Sequence, residues 1–304
     1  MKDLSLRQLR GLVAFADSGS VTAAADALGI SQPAASMLLR QLEQELGVPL
    51  VERRGRGAGL SDAGRALLPH ARAVLDELRR AEETLSRRAG GAAGQLHLGV
   101  VPTANYFAPR MLTEFARREP GVGFKLSVGR RDEILAMLKE HRLDIAIAGY
   151  PPGEAEVEAE SFARHPHCIV ASPAHPLAQA RRIAWTTLRD EPFIFREAGS
   201  ATRLFLEHLL QAQSLQVNVT LELAGNETVK QAVMAGMGIS FMSAHAIQVE
   251  LDAGRLVVLD VVGMPKWLDW CFLQRRNQAL GGLNARFRQF VVERGAELAA
   301  CRSL

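Results

Sequence analysis

One segment constrains the fold of this chain most strongly, because it predicts two short helices joined by a tight turn. It spans residues 20–46 and has the sequence SVTAAADALGISQPAASMLLRQLEQEL. Ser20 is a good N-cap, and Gly29 ends the first helix where the turn needs a left-handed residue. Ser31 caps the second helix, whose first turn tolerates Pro33. We interpret the segment as a helix-turn-helix. The alternative is an ordinary helical hairpin in a bundle, where the small residues only pack.

One face of the second predicted helix suits contact with DNA bases, because short polar side chains let a helix approach base edges in the major groove. The candidate DNA-binding residues of this helix are Ser31, Gln32, Pro33, Ser36, Met37 and Arg40. A short β-like run at 49–51 and a basic, glycine-rich loop at 52–57 follow. The loop has the composition of a wing, and its arginines are the candidate contacts to phosphates or the minor groove: Arg53, Arg54 and Arg56.

Residues 61–89 have the pattern of one long helix. Apolar residues recur at the 4-3-4-3-4 spacing of a coiled-coil seam: Leu67, Ala71, Val74, Leu78, Ala81 and Leu85. A surface helix of a single chain can show a similar stripe. Because no partner for this segment is evident within the chain, we interpret it as a dimerisation helix, followed by a hinge at 90–94. The DNA-binding domain then spans 1–60.

From residue 95 to 304 predicted strands and helices alternate, which indicates parallel α/β units. A strand returning near Trp270 predicts two subdomains, about 95–164 with 270–304 and about 165–269. Small ligands bind beyond the carboxyl ends of such strands, where helices begin. The candidate effector residues are Thr103, Ala104, Asn105, Tyr150, Arg196, Ser200, Thr202, Arg203, Asn226 and Glu227. Taken singly, each hydroxyl or amide among them has plain N-capping as its alternative role.

The segments SQPAAS, RQLEQELGVPLVER and LSDAG resemble the N-terminal signature of the LysR family of bacterial transcriptional regulators. The resemblance extends over the whole chain in length and order. It implies an α+β multidomain protein with a winged helix-turn-helix, a coiled-coil linker helix and an α/β effector domain of the type II periplasmic-binding-protein fold. It also implies double-stranded operator DNA as a partner, and dimers that pair into homotetramers.

Within the family, LGVVPTANYFAPRML, REAGSATR and GNETVKQAVMAGMGIS look most like regulators of Calvin-cycle carbon-fixation (cbb) operons, which sense phosphorylated or nucleotide metabolites. Two positions depart from that pattern. Asn105 stands where the subgroup implies a lysine, and Tyr150 where it implies an arginine. A cleft without these cations suits a monoanionic carboxylate as well, so a catabolic operon with a carboxylate effector is the alternative.

Composition and motifs indicate where the protein is located and which other functions fit the chain. The net charge is only +3, so DNA affinity must depend on where the arginines lie. No apolar run reaches the ~18 residues of a membrane span, and no signal peptide begins the chain. We therefore expect a cytoplasmic protein with no membrane partner, and RNA polymerase is a candidate partner. A small-molecule binding protein without DNA is the rival class, and an enzyme is a distant third.

The sequence lacks GxSxG, HExxH and Walker-type motifs, so we expect no catalytic residues, no metal site and no cofactor other than a small-molecule effector. His165 and His167 flank a proline at the presumed crossing between subdomains. We interpret them as structural, with a hinge role or a pH response as alternatives. Cys168 and Cys271 lie in apolar runs and suit packed, reduced thiols, although a redox role is an alternative.

Overall fold

The computed structural model describes residues 4–54, 57–88, 94–149, 153, 155–276 and 280–301, without the side chains of residues 54, 83, 84 and 86–88. The chain divides into two compact units, residues 1–94 with 136–143, and residues 95–135 with 144–304. Arg56, Tyr150, the Arg54 side chain and most of the predicted hinge 90–94 lie outside the described residues. Among the described helices, none is long and apolar enough to cross a bilayer.

The first unit contains the predicted helix-turn-helix. Its elements are α1 Leu6–Ser18, α2 Val21–Leu28, α3 Gln32–Leu46, β1 Val51–Arg54, β2 Gly57–Leu60 and α4 Asp62–Arg88. The predicted caps are confirmed. The Ser20 hydroxyl accepts a hydrogen bond from the Ala23 amide, and Gly29 has a φ of 65°. The Ser31 hydroxyl accepts one from the Ala34 amide at 3.4 Å. The turn between α2 and α3 therefore has the geometry that these residues predict.

The base of the β1–β2 hairpin is tied to the start of α4, which explains the LSDAG motif. Ser61 donates its hydroxyl proton to the Pro49 carbonyl at 2.7 Å and accepts from the Gly64 amide at 3.0 Å. Gly64 packs directly against the backbone of Leu50, since a Cβ at this position would lie 2.2 Å from the Leu50 carbonyl oxygen. Only glycine fits this close contact.

The second unit contains β3 Gln95–Val100, α5 Ala108–Arg118, β4 Gly123–Val128, β5 Ile145–Gly149, β6 Val157–Ala171, β7 Pro192–Arg196, α7 Ala201–Ala212, β8 Asn218–Leu223, α8 Asn226–Met234, β9 Ser240–Ser243, α9 Ala244–Asp252, β10 Val257–Val258, β11 Lys266–Arg275 and α10 Gly282–Leu298. Helix α6, Arg131–Lys139, lies between β4 and β5 in the chain. Two 3-10 turns complete the described elements, Pro102–Tyr106 and Trp185–Arg189.

The sheet is mixed, which corrects the expectation of parallel units alone. Strand β3 pairs in parallel with β4 and β5, and β7 pairs in parallel with β8. Between these groups, β5, β11 and β6 pair antiparallel, and β9 and β10 both add antiparallel to β6. Strand β6 starts at Val157, before the predicted crossing between subdomains at His165 and His167, and β11 pairs with it from Val157 to His167.

The end of β6 lies between two separate apolar clusters, which follows from the alternation of side chains along a strand. Ile169 and Ala171 pack into one cluster, with Phe193 of β7. Cys168 and Val170 face the other cluster, with Ile194 and Val229. Burial raises the pKa of the Cys168 thiol to about 12, so it behaves as a packed apolar residue and not as a reactive thiolate.

Gly64→Ala should destabilise the first unit by about 2 kcal/mol, because the new Cβ overlaps the Leu50 carbonyl and separates the hairpin from α4. Urea unfolding followed by far-UV circular dichroism measures the change. Gly281→Ala is the matched control, because Gly281 has extended backbone and open space around its Cβ position. Equal stability of the Gly64→Ala variant and the wild type would contradict this explanation of the motif.

Candidate DNA-binding surface and effector cavity

The predicted base-reading face of α3 is on the surface of the first unit. Residues Ser31, Gln32, Pro33, Met37 and Arg40 are exposed, and Ser36 is half-buried. Met37 is an unusually exposed apolar residue, with 56% of its surface accessible. The opposite face, with Ala35, Leu39 and Leu42, is buried.

Within the described residues, the side chains of Gln32, Ser36, Arg40 and Arg53 make no hydrogen bond or ion pair. Their polar groups are therefore available to a DNA partner. Two further exposed side chains on α3, Gln41 and Gln44, were not predicted. Both lie in the C-terminal half of α3, beyond the short polar residues near its start that predict contact with bases.

The wing is a β-hairpin and not the loop predicted over 52–57. Arg53 pairs with Ala58 and Arg54 with Gly57 in the ladder, so both arginines are strand residues near the tip. Strand β1 is held to α3 by Glu43, whose carboxylate accepts from the amides of Leu50 and Val51 at 2.8 and 3.0 Å. Two hydrogen bonds thus join α3 to the wing.

The predicted seam on α4 divides into two parts. Ala71 is buried in the core with Leu12 and Phe15, and Leu67 packs against that core, so these two positions already have partners within the chain. This corrects the assignment of Leu67 and Ala71 to a dimer interface. Val74 and Leu85 are exposed, with 47% and 65% of their surfaces accessible. Ala81 is exposed and Leu78 is half-buried.

The second unit contains a cavity of about 600 Å³. It lies where β3, β5 and β7 end, beside His165 and His167 of β6 and Leu268 near the start of β11. Four of the predicted effector residues line it, namely Thr103, Arg196, Ser200 and Thr202. Apolar side chains, including Leu204, Phe205 and Leu268, cover other parts of the wall. The cavity is large enough for a small metabolite.

Three hydroxyl groups in the cavity wall are available to a ligand. Within the described residues, the hydroxyls of Thr103, Ser200 and Thr202 make no hydrogen bond. Ser200 is the N-cap residue of α7, yet its side chain does not cap the helix. The alternative of plain N-capping is therefore not met at Ser200. The first amides of α7 have no partner in the helix, so they add donors beside the hydroxyls.

Arg196 and Arg203 have different environments. The Arg196 guanidinium is only 6% exposed, and it donates to both carboxylate oxygens of Glu197, at 2.7 and 2.8 Å. Its remaining terminal nitrogen donates to the Asn226 side-chain oxygen. Arg203 does not line the cavity. It pairs at 2.7 Å with both Glu207 and Glu222, so its prediction as an effector ligand is not supported by its position.

Other predicted effector residues lie outside the cavity wall. Ala104 is fully buried in the core, and Asn105 is exposed on the surface. The Asn226 side-chain oxygen accepts a hydrogen bond from the Arg196 guanidinium, so Asn226 contacts a residue of the cavity wall without lining the cavity. Glu227 accepts a hydrogen bond from the Tyr106 hydroxyl at 2.8 Å and forms an ion pair with Lys230 at 2.8 Å.

Two arginines in the cavity wall, Arg130 and Arg131, were missed, because they follow the edge strand β4 at a position without a motif. The Arg130 guanidinium lies over Gly199, where a Cβ would be 2.3 Å from its Nη2 atom. Its partner, Asp132, is exposed and loosely placed, with a closest separation of 3.3 Å. Arg131 donates to the Gly149 carbonyl at 2.6 Å. Arg130 is thus the more accessible cation.

His165 and His167, which the sequence analysis interpreted as structural, also line the cavity. His165 stacks on Trp270 with ring centroids 3.8 Å apart, and its Nε2 atom is 2.9 Å from the Ser243 hydroxyl. His167 stacks on Phe241 at 5.3 Å. Burial is the main cause that holds the pKa of His165 well below its usual range and lowers the pKa of His167 to about 3. Both rings are neutral at physiological pH.

Comparisons with known proteins agree with this architecture. Residues 6–65 match the family model for the bacterial regulatory helix-turn-helix protein of the lysR family, and residues 89–296 match the model for the LysR substrate binding domain. The chain belongs to the LysR family. It is a DNA-binding transcriptional regulator with an effector-binding domain, as the sequence resemblance implied, and the predicted fold class is confirmed.

Individual relatives in the LysR family are similar over most of the chain. The RuBisCO operon transcriptional regulator of Allochromatium vinosum is 41% identical over 295 residues, covering 97% of this chain and 98% of the relative. The Synechocystis CcmR regulatory domain in complex with 2-PG is 35% identical, with a TM-score of 0.63, covering 66% of this chain and 96% of that one. A full-length OxyR from Pseudomonas aeruginosa has the same fold, with 22% identity, a TM-score of 0.77 and coverage of 99% and 97%.

Burial of His165 and His167 makes the free energy of unfolding fall as the pH falls. In the unfolded chain they titrate near pH 6.5, whereas the folded protein takes up these protons only at much lower pH. Below pH 6.5 the unfolded state therefore binds more protons, and the free energy of unfolding falls by up to about 1.4 kcal/mol per pH unit for each histidine. His167→Phe keeps a ring against Phe241. Unfolding of this variant between pH 6.5 and 5 should take up about one proton fewer, so the slope of the free energy of unfolding against pH should fall accordingly.

Urea titrations at several pH values measure that slope. His208→Phe is the matched control, because His208 also lines the cavity but is exposed. An unchanged slope in the His167→Phe variant would show that His167 does not resist protonation in the fold.

Proposed function

We propose that this LysR-family regulator controls a carbon-fixation operon in the cytoplasm, and that a small phosphorylated metabolite in the cavity changes how it binds and bends its operator. The main support for an anionic effector is a set of three cavity hydroxyls beside the N-terminus of α7. None of these hydroxyls has a hydrogen-bond partner among the described residues. Hydroxyl and amide donors around a buried arginine suit an anion with several acceptor oxygens.

The similarity to relatives supports the pathway and the class of ligand. The A. vinosum relative is named for the RuBisCO operon, and the CcmR regulatory domain is described in complex with 2-PG. A carboxylate effector and a catabolic operon are the second candidate. It is favoured by the apolar part of the wall, where Leu204, Phe205 and Leu268 have no polar group to offer a second anionic centre.

DNA recognition is proposed to use α3 and the wing. The partner-free side chains of Gln32 and Ser36 read base edges, and Arg40 and Arg53 contact phosphates. A dimer forms through the exposed part of the α4 seam, where Val74, Leu78, Ala81 and Leu85 bury apolar surface against a second copy. We expect the dimers to pair further into tetramers, as the LysR family implies.

Gln32→Ala and Ser36→Ala should each weaken binding to the preferred DNA site by ~1–3 kcal/mol, with little change for unrelated DNA, because base contacts carry the specificity. Arg53→Ala should weaken binding to all sequences and reduce the salt dependence by about one counterion. The site is one selected by the wild-type protein from a random DNA library, and fluorescence anisotropy gives both affinities.

Gln211→Ala is the control, since Gln211 is an exposed glutamine on α7 of the second unit and belongs neither to α3 nor to the wing. Full discrimination between selected and scrambled DNA in both the Gln32→Ala and Ser36→Ala variants would contradict the assignment of the recognition face.

Thr103→Ala, Ser200→Ala and Thr202→Ala should each weaken binding of 2-phosphoglycolate roughly ten- to a hundredfold, because a hydrogen bond to a charged group contributes ~1.5–3 kcal/mol. Isothermal titration calorimetry on the full chain measures the affinity. Thr113→Ala is the control, because the Thr113 hydroxyl is exposed and bonded within its own helix to the Pro109 carbonyl.

Glycolate, which lacks the phosphoryl group, separates the two candidate ligands. Tighter binding of 2-phosphoglycolate than of glycolate supports a phosphorylated effector. The opposite order would favour the carboxylate alternative, and unchanged affinity in all three hydroxyl variants would place the ligand elsewhere.

A further inference from the structure

Arg196, a buried cation in the cavity wall, is already paired with the carboxylate of its neighbour Glu197. The Arg196 Nε and Nη2 atoms form two parallel bonds to the Glu197 carboxylate, at 2.7 and 2.8 Å, which is the geometry in which arginine binds carboxylates and phosphates. The third guanidinium nitrogen donates to Asn226. All three nitrogens of Arg196 therefore have an acceptor before any effector arrives.

Glu197 is accessible enough to move, whereas Arg196 is not. The Glu197 side chain is 29% exposed and lines the cavity, and the Arg196 side chain is only 6% exposed. Its carboxylate also accepts a weak bond, 3.3 Å long, from the Gly225 amide at the N-terminus of α8. A second anion near the same fork would meet like-charge repulsion from this carboxylate, so the fork binds one of the two at a time.

We propose that Glu197 is an internal competitor that occupies the anion-binding fork of Arg196 and must be displaced by the effector. This inference rests on the proposed binding of an anion in the cavity. The competition lowers the affinity for every anion, so that only a ligand with enough additional contacts, such as those to Thr103, Ser200 and Thr202, binds at low concentration. Displacement also frees the Gly225 amide, which connects occupancy of the cavity to the start of α8.

Glu197→Gln tests the competition, since glutamine has the same shape without the charge and forms a weaker bond to Arg196. We expect 2-phosphoglycolate to bind about tenfold tighter to this variant than to the wild type, measured by calorimetry on the full chain. The ligand-free variant should melt at a lower temperature, because buried Arg196 loses its counter-charge. Tighter binding together with lower intrinsic stability is not expected from a merely structural role.

Glu222→Gln is the matched control. Glu222 pairs with Arg203 at 2.7 Å, belongs to the neighbouring strand and does not line the cavity. If only the overall charge mattered, both variants would bind the anion equally tightly, and the inference would be wrong. Glu197→Asp is a second variant that keeps the charge but is one methylene shorter, so it should give a smaller increase in affinity.

The outcomes separate this inference from the proposed function. Binding by the wild type with equal or weaker binding by the Glu197→Gln and Glu197→Asp variants would overturn the competition and leave the anion site in place. Absence of binding by all of the proteins would contradict the site, and the competition with it. Tightening in the Glu197 variants alone supports the inference.

Discussion

The antiparallel pairing of β6 with β11 is the interaction on which the second unit depends. The two strands remain paired from Val157 and Arg275 to His167 and Lys266, with one bulge at Trp270 and Cys271. One end of β11 joins the sheet through β5, and the far end of β6 carries β9 and β10. Each half of the unit is thus attached to the other by this pair of strands.

One end of this strand pair also supplies a wall of the cavity. His165, His167 and Leu268 line it, and the rings of His165 and Trp270 stack directly behind. His245 packs edge-on against Trp270 at 5.4 Å and adds a third buried imidazole.

The cavity combines neutral donors with cations that are already bonded. Thr103, Ser200 and Thr202 offer hydroxyls without a partner among the described residues, whereas Arg196 is paired with Glu197. Selectivity then depends on the number of contacts that a ligand makes at once, and not on net positive charge alone. This arrangement agrees with a chain whose net charge is only +3.

Local signals predicted the first unit well and the second unit less completely. Ser20, Gly29 and Ser31 act through backbone bonds within four residues, so their roles follow from sequence alone. The start of β6 depends on β11, about a hundred residues later, and no local pattern around Pro166 indicates it. Arg130 and Arg131 of the cavity wall were missed, and Arg203 lies outside that wall, because the surroundings of a long cationic side chain are set by tertiary neighbours.

We propose that occupancy of the cavity is transmitted to the DNA-binding surface. Fluorescence energy transfer across a doubly end-labelled operator, measured with and without saturating 2-phosphoglycolate, tests this coupling. We predict a ligand-dependent change in the DNA bend for the wild type. A variant with alanine at Thr103, Ser200 and Thr202 should bind the DNA and show no such change. A bend that stays constant while calorimetry shows the wild-type cavity filled would contradict the claim.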